Sequence, residues 1–372
     1  MKKEFKFEFA DMAIAEAMKL LEEKAAVQYD LLVNSDQVEC RYDDDAGIQY
    51  GVRRRDSKAL EVVQMNPLAL TQMFRRTGLA QRTYEKFDDL KPQLFNRFVQ
   101  NDSKPIRLRM RKGKERDVIR AFLTKGYTAI DDVSLFPLVF KHLPKDYSIK
   151  MLQIDEGITR CVIKVPGHSA EIGSDEYSAG IVITNSEVGL SSIWIEPAVV
   201  LNKHLLVNRN AMSRGINKEY ENRIVHRGTI EDIRISTILD KALEAAQVGI
   251  VSVGKLNTVE LDKKETEAFV KKEGFLGNAI RDAVLDLVEE EERISKLRLL
   301  KIILQQVRSL PLFERSIIEQ KVGSRIGLFS HYEEEMAELL QEMNQTGVTS
   351  GVDGQDVSNT EEPVLSDGNV SA

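Results

Sequence analysis

Residues 106–111, Ile-Arg-Leu-Arg-Met-Arg, alternate an apolar side chain with an arginine. In an extended strand successive side chains point to opposite faces. Ile106, Leu108 and Met110 therefore line one face, and Arg107, Arg109 and Arg111 the other. Lys112-Gly113-Lys114 reads as a turn and Val118 to Leu123 as the returning strand, with Arg120 and Phe122 on one face together. Residues 104–125 hold nine Lys or Arg against two acids, a local charge of +7 in a chain of net charge −7. Guanidinium groups match phosphate bidentately, and an aromatic ring beside them can stack on a base. The pattern points to contact with nucleic-acid phosphates, single-stranded DNA included, by Arg107, Arg109, Arg111, Lys112, Lys114, Arg116, Arg120 and Phe122. The alternative is a solvated strand face, paired with acidic parts of the same chain.

A second polar set interrupts two apolar runs. Asn185-Ser186-Glu187 lies between Gly180-Ile-Val-Ile183 and Ser192-Ile-Trp-Ile195. The β-branched residues and Gly189 that follow make a poor helix, so the expectation is a loop from Asn185 to Gly189 joining two strands. Asn and Ser bond their own backbone in such loops, and Gly takes positive φ. A functional version puts Glu187 at the loop tip, facing a ligand or partner. His204, Asn208 and His226 fall in the same β-rich segment and form a further candidate polar cluster. The five histidines show no metal-ligand spacing, and there is no P-loop, GxGxxG or GxSxG. The residues thus call for no metal and no cofactor, and they leave enzymatic activity unassigned.

The elements that must carry these residues belong to an α+β chain: a β-rich body with inserted helices, a helical C-terminal region and a disordered acidic tail. Residues 11–26 read as a helix capped by Asp11; strands follow at 27–33, 37–42 and 48–52. Asn66-Pro67 opens a helix that Gly78 stops, as the preferences for Pro at the first turn and Gly past the end dictate. Another helix is expected near 82–98 and one over 230–246, with strands across 147–260. Residues 278–310 read as one long helix, its apolar stripes interrupted by Glu289-Glu290-Glu291-Glu292, and residues 331–343 as an amphipathic acidic one. Residues 344–372 hold five acids, no Lys or Arg, and no hydrophobic period, the signature of a disordered tail. The resulting boundaries are 1–260, 261–343 and 344–372.

With 42% hydrophobic and 30% charged residues the composition is that of a globular protein. Cys40 and Cys161 lie far apart, which argues against a disulfide framework. The N-terminus lacks the apolar core of a signal peptide, and no apolar run reaches the ~18 residues of a membrane span. A cytoplasmic protein without a membrane partner is the expectation.

Several ordered stretches resemble a family of phage- and plasmid-encoded proteins known as domain of unknown function 932. They are Asn66 to Gly78, Arg120-Ala-Phe-Leu-Thr-Lys-Gly-Tyr127 with Asp131-Asp132, and Ser186-Glu187-Val-Gly189. Leu205-Leu-Val207 with Asn208, and His226-Arg-Gly228, complete the set. The similarity covers roughly residues 60–250. Where the family tends to carry a Cys-Asn-Gly-like triplet, this chain has Val207-Asn-Arg-Asn-Ala-Met212. The resemblance implies a mobile-element origin, a bacterial host cytoplasm and a setting near DNA replication and recombination. It also implies that the Asn-Ser-Glu motif is a family feature. The function expected is a DNA-metabolism accessory protein that binds nucleic acid non-specifically through the arginine hairpin. The alternative is a phage structural or protein-interaction component, self-associating or meeting a phage or host protein through its long C-terminal helix.

Overall fold

A computed structural model of the chain describes residues 7–54, 59–102, 104–201, 204–208, 212–214, 219–220, 222–226, 231–272, 276–325 and 328. The expected helix at 331–343 and the tail at 344–372 lie outside the described residues. The fold is α+β, with two large sheets and two two-stranded ones among the described residues.

The chain opens with β1 (Phe7–Met12) and α1 (Ile14–Ala26), then enters β2 (Gln28–Val33), β3 (Val38–Asp43), β4 (Gly47–Arg53) and β5 (Leu60–Met65). Three helices, α2 (Pro67–Thr77), α3 (Gln81–Lys86) and α4 (Lys91–Gln100), precede β6 (Ile106–Arg111) and β7 (Val118–Thr124). Next come α5 (Asp132–Lys141), β8 (Ser148–Ile154), β9 (Thr159–Ile172), β10 (Asp175–Asn185), β11 (Ile193–Leu201) and β12 (His204–Val207). The short strands β13 (Ser213–Arg214), β14 (Glu219–Tyr220) and β15 (Arg223–Ile224) lead to α6 (Asp232–Thr258). The described chain closes with β16 (Glu260–Asp262), α7 (Lys263–Val270), α8 (Asn278–Leu287), β17 (Arg293–Ser295), α9 (Lys296–Gln306) and α10 (Leu312–Arg325).

The first sheet runs β1-β8-β9-β10-β11-β12, with β15 also on β11. The second runs β2-β6-β7-β5-β4-β3, antiparallel except where β5 meets β7. All of the second sheet is nested in the chain between β1 and β8, neighbours in the first. Each large sheet has its own apolar cluster. In the first, Leu152, Cys161, Ile163, Ile181 and Ile195 pack against Leu21 of α1, Phe136 of α5 and Leu239 of α6. In the second, Ile106, Leu108 and Met110 pack with Met73 of α2 and with Phe95 and Val99 of α4. Asn66 caps α2 by accepting from the Leu68 amide at 2.7 Å, and Gly78 ends it at φ 74°, both as the residue types require.

Four expectations are corrected. Asp11 does not cap α1: it sits in β1 at φ 51°, held by Lys150, and the helix begins at Ile14. The expected helix at 82–98 is two, broken by a 3₁₀ turn at Asp88–Leu90. The helix expected at 230–246 extends to Thr258. The long helix at 278–310 does not exist: α8 stops at Leu287, the acidic run turns the chain, and β17 pairs with β16 before α9 begins. Four consecutive glutamates repel one another along a helix, and Ile294 is better buried from a strand. No continuous apolar stripe is left for self-association through that segment.

Candidate functional site

The hairpin forms as its alternation demands, with the apolar side on α2 and α4 and the arginines opposite. The middle of that opposite side does not face solvent, while Arg107 and Arg111 at its ends are half-buried. The middle faces the end of the first sheet, and Arg109 and Arg120 are only 4% and 2% exposed. A register shift between Arg109 and Met110 leaves Arg120 as an extra residue on β7, since Ala121 pairs with Arg109 and Ile119 with Met110. This bulge reverses the alternation. Ile119 and Phe122 point into the second sheet's core, while Ala121 and Leu123 join Val188 on the other side. Arg120 and Phe122 therefore do not share a face, and Phe122, 3% exposed, is in no position to stack on a base.

The first sheet meets these arginines with the Asn185-Ser186-Glu187 motif. Asn185 and Ser186 are fully buried and Glu187 is 4% exposed, so the motif is not a solvent-facing loop tip. The turn itself is as expected: Gly189 takes φ 75°, and the Ser186 hydroxyl accepts from the Leu190 amide at 2.9 Å while donating to the Gly157 carbonyl at 2.8 Å. That turn folds Glu187 inward. Its Oε2 lies 3.0 Å from Lys24 Nζ and 3.3 Å from Arg120 Nη1, and its Oε1 accepts from the Asp132 amide at 3.1 Å. Arg109 Nη1 donates to the Glu187 carbonyl at 2.8 Å and its Nη2 to Asp131 at 2.5 Å.

Around this pair the charges alternate. Lys24, in the last turn of α1, also contacts Asp132 at 2.5 Å; Asp132 further accepts from Thr159 at 2.5 Å and from Asn185 at 2.7 Å. Arg120 and Arg111 share Glu156 at 3.1 and 2.7 Å, and Arg107 and Arg109 share Asp30 at 3.0 and 3.1 Å. Burial pushes the Glu187 carboxyl up, but Lys24, Arg120 and Arg109 outweigh it and hold it at about 2. Burial raises Asp132, Lys24 opposes, and the Glu187 charge adds to the rise. Burial lowers Lys24, but Asp132 and Glu187 more than restore it. The arrangement is an ionic lock joining α1, α5, the hairpin and the β10–β11 turn. Most of its charged atoms are paired with one another.

The three histidine-segment residues do not come together. His226 stacks on Tyr127 at 5.2 Å, and burial lowers its pKa to about 4. His204 lies among Arg308, Arg315 and Lys301, and its pKa is also lowered, first by burial. Asn208 donates to the Leu328 carbonyl. Among the described residues no group of three His, Cys, Asp or Glu could hold a metal ion, and no helix is long and apolar enough to cross a membrane.

Composition and spacing give no sign of Lys24, Asp30, Asp131, Asp132, Glu156 and Thr159 as site residues. Only Asp131-Asp132 carried a signal, as part of the resemblance. Of the basic hairpin, Lys112, Lys114 and Arg116 are exposed, all in or beside the β6–β7 turn. No ion pair engages these three among the described residues. Comparison with protein-family models, curated proteins and solved structures found no match to this chain, so the likeness noted above rests on its residues alone.

Proposed function

We propose that this is a non-enzymatic nucleic-acid-contacting protein of a mobile element, acting in DNA metabolism, whose phosphate-binding element is the β6–β7 turn rather than the hairpin's face. The observation that supports this reading is the division of labour along one hairpin. The strand arginines pair with Asp30, Asp131, Glu156 and Glu187, whereas Lys112, Lys114 and Arg116 are exposed in or beside the turn of an acidic protein, with no ion pair among the described residues. A locked base beneath a charged turn fixes where these cations are presented. Backbone contacts of this kind carry affinity but no sequence readout.

The test is fluorescence anisotropy with single- and double-stranded oligonucleotides across a salt series, comparing the wild type with a Lys112→Glu/Lys114→Glu/Arg116→Glu variant. All three positions are exposed, so the variant should fold. Loss of about three phosphate contacts lowers the slope of log K against log salt by roughly 2–3 and weakens binding at least about tenfold at low salt. An unchanged variant, or a wild type that does not bind at low salt, overturns the reading.

A further inference from the structure

The acidic run Glu289-Glu290-Glu291-Glu292 has so far explained only the end of a helix. It also shapes the mouth of a cavity of about 280 Å³ between one face of α7 and the turn from α8 into β17. Lys263, Thr266, Glu267 and Lys271 line it from α7; Leu285, Asp286, Val288, Glu289, Glu291 and Ile294 line it from the other side. Spacing of three to four residues puts the first four on one helical face. Leu285, Val288 and Ile294 supply an apolar floor.

The charges around the cavity are not balanced. Glu267 is paired with Lys271 at 2.8 Å, Glu291 with Arg298 at 2.7 Å, and Lys263 donates to the Glu289 carbonyl at 3.2 Å. The Asp286 and Glu289 carboxylates have no partner among the described residues. Thr266, 4% exposed and on the cavity wall, has a hydroxyl with no hydrogen-bond partner. Buried hydroxyls are nearly always bonded, so this one stands out. Leu287, between two lining residues in the sequence, is 54% exposed.

The geometry points to a socket for one arginine or lysine side chain carried by a partner protein segment. The aliphatic stem lies on Leu285, Val288 and Ile294, the cation meets Asp286 and Glu289, and one of its N–H groups donates to the Thr266 hydroxyl. A long basic side chain is the amphipathic shape that buries its stem while keeping its charge at a wet rim. The volume suits one side chain, and the exposed Leu287 offers contact to the segment that carries it. That contact is why a protein segment is preferred over a free amine.

The test uses the full chain with methyl-labelled Ile, Leu and Val, titrated with an acetylated and amidated Gly-Gly-Arg-Gly-Gly peptide. Two comparison probes are the same peptide with neutral citrulline for arginine, and free agmatine. The expected result is saturable shifts of the Leu285, Val288 and Ile294 methyls in the millimolar range usual for one small pocket. Citrulline should bind at least about fivefold more weakly, as should the arginine peptide to Asp286→Asn/Glu289→Gln, two exposed positions whose loss leaves the fold intact. Thr266→Val should raise the unfolding midpoint of the free protein and weaken the peptide. No shift up to about 10 mM, or equal response to arginine and citrulline, overturns the socket. Binding of agmatine as tight as that of the peptide overturns the protein-borne source.

Discussion

Lys24, Glu187 and Asp132 show how neighbouring acids in one dry site acquire opposite habits. Glu187 faces one lysine and two arginines and is held at about 2. Its contribution to stability is full above the ordinary glutamate value and is lost as pH falls toward 2. Asp132 is shifted the other way, so its protonation on acidification relieves strain and partly offsets that loss. His226 titrates in a different window. Its folded pKa of about 4 lies below the ordinary 6.5, so the folded state binds the proton less readily than the unfolded one. Stability should therefore decline as pH drops from 6.5 to 4, with a slope of up to about 1.4 kcal/mol per pH unit from this group. His226→Phe keeps a ring against Tyr127 and removes the titration. Urea midpoints measured from pH 7 to pH 4 should flatten by that slope, and an unaltered profile would show that another group governs the window.

At the scale of elements, α10 is seated unusually. Arg315, Ser316, Glu319 and Gln320 of the helix are buried, and the buried Arg160 and Glu196 of the sheet meet them. Arg160 bonds Glu319, and Gln320 donates to Glu196 at 3.3 Å. Removing one member of a buried pair strands the other, whereas replacing both with apolar groups can cost nothing. Arg315 lies 3.8 Å from Glu319 as well, so the buried group is a triad. Arg160→Met alone should destabilise by about 3–5 kcal/mol, and adding Glu319→Met with Arg315→Met should restore most of it, read as a coupling in a mutant unfolding cycle. The elements legible from residue pattern were those whose signals are local. Asn66, Pro67 and Gly78 bracket α2 within a dozen residues, and the Ile106–Arg111 alternation names a strand. What stayed hidden was set by partners far along the chain. Nothing within a few residues of Arg120 announces a bulge, and nothing near Arg109 says that its solvent is replaced by Glu187, 78 positions on. Alternation tells which side chains share a face, not what lies over it.

For the whole molecule the ionic lock, with the Ala121, Leu123 and Val188 contact beside it, joins two sheets that each have an apolar core. The candidate site was half-legible: the hairpin and the Asn-Ser-Glu motif were both singled out, but as two surfaces, whereas they are the two halves of one contact. Glu187→Gln keeps the size and the Asp132 contact but leaves Lys24 and Arg120 short of a counter-charge. It should cost about 3–5 kcal/mol. Because the deficit falls at the join, differential scanning calorimetry should show one transition for the wild type and two for the variant. A Glu187→Gln protein as stable as the wild type would show that the lock does not hold the sheets together.

The nesting of the second sheet between β1 and β8 has a consequence for how the chain is made. A ribosome releases β1 first, yet its pairing partner follows some 140 residues later, Phe7 waiting for Ile154. In that interval all six strands of the inserted sheet emerge with helices α2 and α4, so that unit can complete itself while the outer sheet has only an unpaired edge. Vectorial synthesis thus imposes an order: the guest matures before its host, and Lys24, at the seam leading into β2, meets Asp132 and Glu187 only when the host closes around it.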